Sequence, residues 1–404
     1  MKYKNWVLFV LGAAVITVGI ALGSTFLSKD SDDETIYTAL AVKIQATGAS
    51  AYNLHDLSID SVGDFWKISY MKDGSFLPLL VKSGATYYDT QFYFNPPLFP
   101  AILALSHEIF NGPLNFLLLR RNQAPEFHFE QFYAAFPNAL FLVLFLVGVF
   151  FLGKMYFDKM TGLLAVLFCL ISPVLLVTTF KVWSDLMCAT LILYSFLCWK
   201  GKNRSLIRVV LSGVLFGLAI LTRTSAIFAI FIFFTREWKS LLLWIVSVFL
   251  VTGAWFCAVF QNYGTFFYFP EVVGAKESLA WLRSITRPWF FYIADLIYLS
   301  PGFLLTIFAI QKKTRVLFWW PFCTIVPLSI LLYTKKPLGL EDRYLLPCYP
   351  ALAVLAAKTV VDFSDRIPRW VIYISLFLVS AWSLRLAGLL VLSRESLRFV
   401  PLLP

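Results

Sequence analysis

Charge is scarce in this sequence. Only 14% of its 404 residues are Asp, Glu, Lys or Arg, against 59% hydrophobic residues, 41 Phe and 13 Trp among them. Together with a mean hydropathy of +0.76, this excludes an ordinary soluble domain and implies an all-α polytopic membrane protein. The alternating ten-residue pattern of a β-barrel is also missing, because the apolar runs are continuous. Histidine is rarer still: His55, His107 and His128 are scattered, which argues against a histidine metal cluster. The six cysteines (169, 188, 198, 257, 323 and 348) show no C-x-x-C spacing and lie in or beside apolar segments. They read as core residues and not as a disulfide framework. With no soluble catalytic domain visible, any chemistry belongs at the membrane surface, and neither a cofactor nor a divalent metal is expected.

What charge there is has a pattern. The net charge of +11 fits basic loops on the inner side of a membrane better than a nucleic-acid partner. Apolar runs at 6–27, 133–153, 160–179, 183–199, 206–221, 224–235, 239–260, 289–311, 315–333, 344–361 and 370–392 predict about eleven transmembrane helices. With the N-terminus cytoplasmic, the connections 154–159, 200–208, 236–239, 311–315 and 358–369 fall inside, each with at least two basic residues. The first run follows Lys2 and Lys4 and exceeds a signal-peptide core, so it is expected to be an uncleaved span.

Between spans one and two lies an exofacial loop, 28–132, rich in aliphatic and aromatic residues. In it, 34–47 has apolar positions at 36, 40 and 44, the spacing of a helix lying on the membrane. Asn95-Pro-Pro-Leu-Phe-Pro100 leads into a second interfacial helix over 101–110, with Asn95 as cap and Gly112 as stop. Residues 1–260, with this loop, form one module; 261–404 add the exofacial loop 261–288 and the last spans.

Three groups of polar residues gather on the predicted outer side. Ser31-Asp-Asp-Glu34 follows span one; it can cap a helix as Ser-x-x-Glu, and one of its carboxylates can also face a cavity. Asp185 opens span four, either as a helix-terminal acid paired with Lys181 or as a functional group. Arg223 and Arg343 stand at outer span ends; they either snorkel or grip a phosphate with their planar forks.

Taken in order, these residues resemble the GT-C superfamily of membrane glycosyltransferases, in the branch of protein O-mannosyltransferases and lipid A aminoarabinose transferases. Asp33-Glu-Thr-Ile-Tyr37 is similar to the Asp-Glu motif after span one, and Asn95-Pro-Pro-Leu98 with Ile109-Phe-Asn-Gly112 to the proline pair and its surface helix. Asp158-Lys-Met-Thr-Gly162, Ser172-Pro173 and Asp185 resemble the next motif region, and 213–224 the stretch that commonly ends Thr-Lys. Arg343-Tyr-Leu-Leu-Pro347 with Pro350 resembles a late Arg-Tyr-Pro motif. The sequence departs from the pattern where Asn95 replaces a lysine, where Ala134-Ala-Phe-Pro137 lacks an arginine, and in the expected lack of a soluble C-terminal domain.

The resemblance implies an inverting glycosyltransferase that moves a sugar from a polyprenyl-phosphate carrier to an acceptor hydroxyl on a glycolipid, glycan or protein. It implies Asp33 as base with Glu34 in support, and Asp185 as an orienting acid. The donor phosphate falls to Arg343, with Arg223 and Lys181 as further candidates, and Tyr37, Asn95, Pro96, Pro97 and Tyr344 line the cavity. A transporter, or a polymerase or ligase of lipid-linked glycans, is the alternative; the first would carry charged groups at mid-depth and internal repeats, and no repeat is present.

Overall fold

The computed structural model describes residues 12, 37, 41, 44, 96–109, 130–201, 205–234, 237–263, 291–309, 314–332, 341–364, 366, 368, 370, 371, 374, 375, 378, 379, 381, 382 and 385. Among them every regular element is helical. In chain order these are α1 (Leu98–Ile109), α2 (Glu130–Tyr156), α3 (Lys159–Leu170), α4 (Pro173–Phe180), α5 (Asp185–Lys200), α6 (Leu206–Thr222), α7 (Trp238–Tyr263), α8 (Phe291–Leu299), α9 (Arg315–Leu332) and α10 (Tyr349–Phe363). Tight 3₁₀ segments, Thr224–Phe233, Pro301–Ala309 and Glu341–Cys348, follow α6, follow α8 and precede α10.

Among the described residues, three helices are long and apolar enough to cross a membrane: Phe136–Tyr156, Trp238–Gln261 and Arg343–Phe363. The expected spans 160–179 and 289–311 are each broken. Lys159–Leu170 and Pro173–Thr179 meet at 68°, and the second break separates Leu299 from Pro301. Each break falls at a Ser-Pro pair, Ser172-Pro173 and Ser300-Pro301. Proline has no N–H to give and clashes with the preceding turn, so the helix stops and restarts with the proline in its first turn. The two breaks touch, Ser172 Oγ lying 3.3 Å from Ser300 Oγ with both serines buried. Irregular backbone at such depth is tolerated where protein covers it. The paired runs 206–221 and 224–235 likewise form one α-helix and one 3₁₀ segment, separated by extended Arg223.

The bundle is held by close helix contacts. α6 packs between α5 and α7, and α10 packs on α3 and the 301–309 segment. Ser195 on α5 and Ser212 on α6 donate to each other's carbonyl oxygens at 2.8 and 2.9 Å, and Trp244 Nε1 of α7 donates to Ser212 Oγ at 3.0 Å. Small residues permit this approach, as is usual where helices meet in lipid. A Cβ at Gly213 would lie 2.6 Å from both Ser247 Cβ and Trp244 O. Phe233 stacks on the same Trp244 at 4.7 Å and completes an aromatic core with Phe216 and Trp199.

α1 begins three residues earlier than the sequence predicts. Ala101 N donates to Pro97 O at 3.0 Å, and Pro100 is accommodated because first-turn N–H groups need no partner inside the helix. Helical residues Tyr37 and Ala41 are buried and Ile44 is partly so. Of the expected stripe 36, 40 and 44, Ile44 packs against the core, and 36 and 40 lie outside the described residues. Of span 6–27 only Gly12 is described, and of span 370–392 nine residues are, all helical.

Gly213→Ala is expected to lower stability by about 1–3 kcal/mol, the usual cost of overpacking a tight helix contact. Thermal unfolding in detergent measures it, and an unchanged midpoint would show that α6 and α7 can separate freely there.

Candidate active site

Asp185 is the first residue of α5 and only 2% exposed. An ionised carboxylate so deeply buried requires paired charge. It has two partners. Arg223 Nη1, from the junction after α6, donates to Asp185 Oδ1, and Arg343 Nε, from the segment before α10, lies 3.7 Å from Asp185 Oδ2. Both arginines are themselves mostly buried, at 13% and 11% side-chain exposure. Their planar faces are covered by rings: Arg223 lies 4.1 Å from the centroid of Tyr344, and Arg343 lies 4.3 Å from that of Trp183. Guanidinium stacking of this kind fixes the plane of the fork. Among the described residues, two cations thus face one acid.

These residues meet because three elements end at the same level. α5 starts there, its antiparallel neighbour α6 stops there, and the segment Glu341–Cys348 enters α10 there. Arg223 has extended backbone (φ −157°, ψ 124°) as the C-cap of α6, and this turns it out of the helix. The opposite end of the bundle holds Lys154, Lys200 and the ion pair of Lys358 with Asp362, with Lys358 over the ring of Phe157. Charge is therefore concentrated at helix ends.

The long loop reaches the cluster through Tyr37. Its hydroxyl lies 2.7 Å from Ser184 Oγ, next to Asp185, and its ring meets Phe99 of α1 edge-on at 5.0 Å. Pro96 is buried and Pro97 half-buried just before α1, so the proline pair lies at this end too. Tyr37, Asp185, Arg223, Arg343 and Tyr344 thus converge as expected. Asp33, Glu34 and Asn95 lie outside the described residues.

One pairing differs from the alternative that the sequence offers. Among the described residues, the ion pairs of Asp185 go to Arg223 and Arg343, and not to Lys181 in the preceding turn. Lys181 enters through its backbone, where its carbonyl accepts from Asn138 Nδ2 and from Trp183 N at 2.9 Å. Asp158 is a helix cap at the N-terminus of α3: Thr161 N donates to its Oδ1 at 2.8 Å and Thr161 Oγ1 to its Oδ2 at 3.1 Å. Sequence reasoning passed over Trp183, Ser184 and Asn138. The first two sit beside Asp185, so their place in the helix entry was the available signal; Asn138 gave none. Among the described residues no three His, Cys, Asp or Glu side chains gather as a metal would need.

Comparison with known proteins locates this geometry. Residues 126–262, from before α2 to the end of α7, match the family model of dolichyl-phosphate-mannose-protein mannosyltransferases. No curated protein matches the chain by sequence. The fold resembles that of ArnT from Cupriavidus metallidurans bound to undecaprenyl phosphate, with a TM-score of 0.61 at 16% identity over 90% of this chain and 62% of that one. The apo form of ArnT gives 0.56 at 17% identity over 88% and 61%. The oligosaccharyltransferase of Archaeoglobus fulgidus, tethered to an acceptor peptide, gives 0.51 at 15% identity over 95% and 54%. The chain spans 62% of the length of the ArnT chain. It has the GT-C membrane fold.

Asp185→Asn removes the counter-charge from two facing guanidiniums and is expected to cost about 3–5 kcal/mol, as for other broken buried ion pairs. Arg223→Gln alone should cost less, because Arg343 remains. Equal, small losses in thermal unfolding for both variants would contradict the central place given to Asp185.

Proposed function

We propose that this chain, built on the GT-C fold, is a membrane glycosyltransferase that moves a sugar from a polyprenyl-phosphate carrier to an acceptor hydroxyl with inversion. The observation that carries the reading is the Asp185–Arg223–Arg343 cluster, two arginines gathered on one buried acid, joined by Ser184 to Tyr37 of the loop after span one. Undecaprenyl phosphate on ArnT and the mannosyltransferase family match support the same donor class. A protein, glycolipid or glycan acceptor suits the same site.

In the proposed reaction an acceptor oxygen attacks the anomeric carbon. Its proton passes to Asp33, the bond from that carbon to the phosphate oxygen breaks, and polyprenyl phosphate departs as an anion. Asp33 lies four positions before Tyr37, and at about 3.5 Å per residue the two Cα atoms stay within about 14 Å. That limit is compatible with Asp33 as the base, with its sequence neighbour Glu34 in support. Beside its orienting role, Asp185 is assigned a second part, that of holding the arginine pair in place through its ion pairs. Arg343, with its longer contact to Asp185, is the better placed to turn toward a phosphate, with Arg223 in support. Fixed positive charge at the leaving oxygen lowers the barrier most when it is preorganised and dry.

The sequence carries no internal repeat, which favours an enzyme over a transporter. We take the end that carries Lys154, Lys200 and Lys358 as cytoplasmic, following the positive-inside tendency, and on that reading the site faces outward.

Asp33→Asn should abolish transfer from a polyprenyl-phosphate sugar while the unfolding midpoint stays unchanged, with Glu34→Gln hurting less. Arg343→Ala should lower turnover by about 10²–10³ and weaken the donor more than the acceptor. Wild-type turnover in Asp33→Asn would overturn the base assignment. A purely acceptor-side defect in Arg343→Ala would remove it from the donor site.

A further inference from the structure

Asn138 lies on α2, completely buried. Its Nδ2 donates to two main-chain carbonyls of another element, Lys181 O and, at 3.5 Å, Thr178 O. Both partners can only accept, so the amide must present its NH₂ group to them. They belong to the last turn of α4 and the residue that ends it, where helix carbonyls lack intrahelical donors.

Lys181 O is the hub of this turn. It also accepts Trp183 N at 2.9 Å, an i to i+2 bond that reverses the chain between α4 and α5. The next three side chains are those that build the site: Trp183 covers Arg343, Ser184 meets Tyr37, and Asp185 pairs with both arginines. Packing alone does not explain an amide here. Asn138 Oδ1 is buried and accepts no hydrogen bond among the described residues, and an unsatisfied buried acceptor is unfavourable. A leucine, γ-branched like asparagine though larger, would avoid that cost.

We infer that Asn138 is a positioning residue, an interhelical latch that holds the 181–184 turn so that Trp183 and Asp185 orient Arg343 for the donor phosphate. The functional half rests on the glycosyltransferase reading; the latch itself does not.

The test uses the purified full chain as wild type, Asn138→Leu, Asn138→Asp and Arg343→Ala. Asn138→Asp keeps the volume but, when ionised, donates nothing, which guards against a packing defect in the leucine variant. Hydrogen exchange of the 181–185 backbone should accelerate in both Asn138 variants while 159–170 keeps its wild-type protection. Affinity for a short-chain polyprenyl phosphate should fall about tenfold, the worth of one to two hydrogen bonds. Unchanged exchange at 181–185 would overturn the latch. Faster exchange with unchanged affinity, while Arg343→Ala loses binding, would overturn the positioning role. A wild-type protein that binds no better than Arg343→Ala would overturn the donor reading instead and leave the exchange result to judge the latch alone.

Discussion

A single buried carboxylate constrains this end of the molecule. Asp185 must be paired to exist as an ion at 2% exposure, and its partners come from the end of α6 and from the segment before α10, 38 and 158 residues later in the chain. The three can meet only if α5, α6 and α10 terminate at one level. The ion cluster thus acts as a register mark for the bundle, and the register is what gathers two arginines where neither would be stable alone. The aromatic faces of Trp183 and Tyr344 limit how the guanidiniums can turn. The result is a fixed concentration of positive charge at a helix-end surface.

The remainder of the described structure supplies stiffness and controlled irregularity. Interlocked serines and a glycine contact hold α5, α6 and α7 together. The interruptions at Ser172-Pro173 and Ser300-Pro301 lie against each other, so each break is covered by protein. The first of them redirects α4 by 68° toward the turn that presents Trp183, Ser184 and Asp185. Had 160–179 continued straight, the entry to α5 would be elsewhere.

Composition and local signals made much of this legible. Hydropathy declared the all-helical membrane class, and the two arginines and Asp185 stood out because charge is rare in apolar surroundings. The partner of Asp185 was not legible: Lys181 is four residues away, whereas Arg223 and Arg343 become neighbours only through tertiary packing. Both breaks were written as Ser-Pro, yet continuous hydropathy across them masked the interruption, since proline ends a helix without making the segment polar. Asn138 was invisible for a related reason. A single buried amide has no periodicity, and its meaning lies in two carbonyls about forty residues away.

The account stands on the arginine pair being a phosphate site. Its most direct test is titration of the purified protein with a water-soluble, short-chain polyprenyl phosphate, comparing wild type with an Arg223→Gln/Arg343→Gln double variant that retains Asp185. One-site saturable binding by the wild type, lost in the double variant, is the expected result. Equal binding by the two proteins would contradict it.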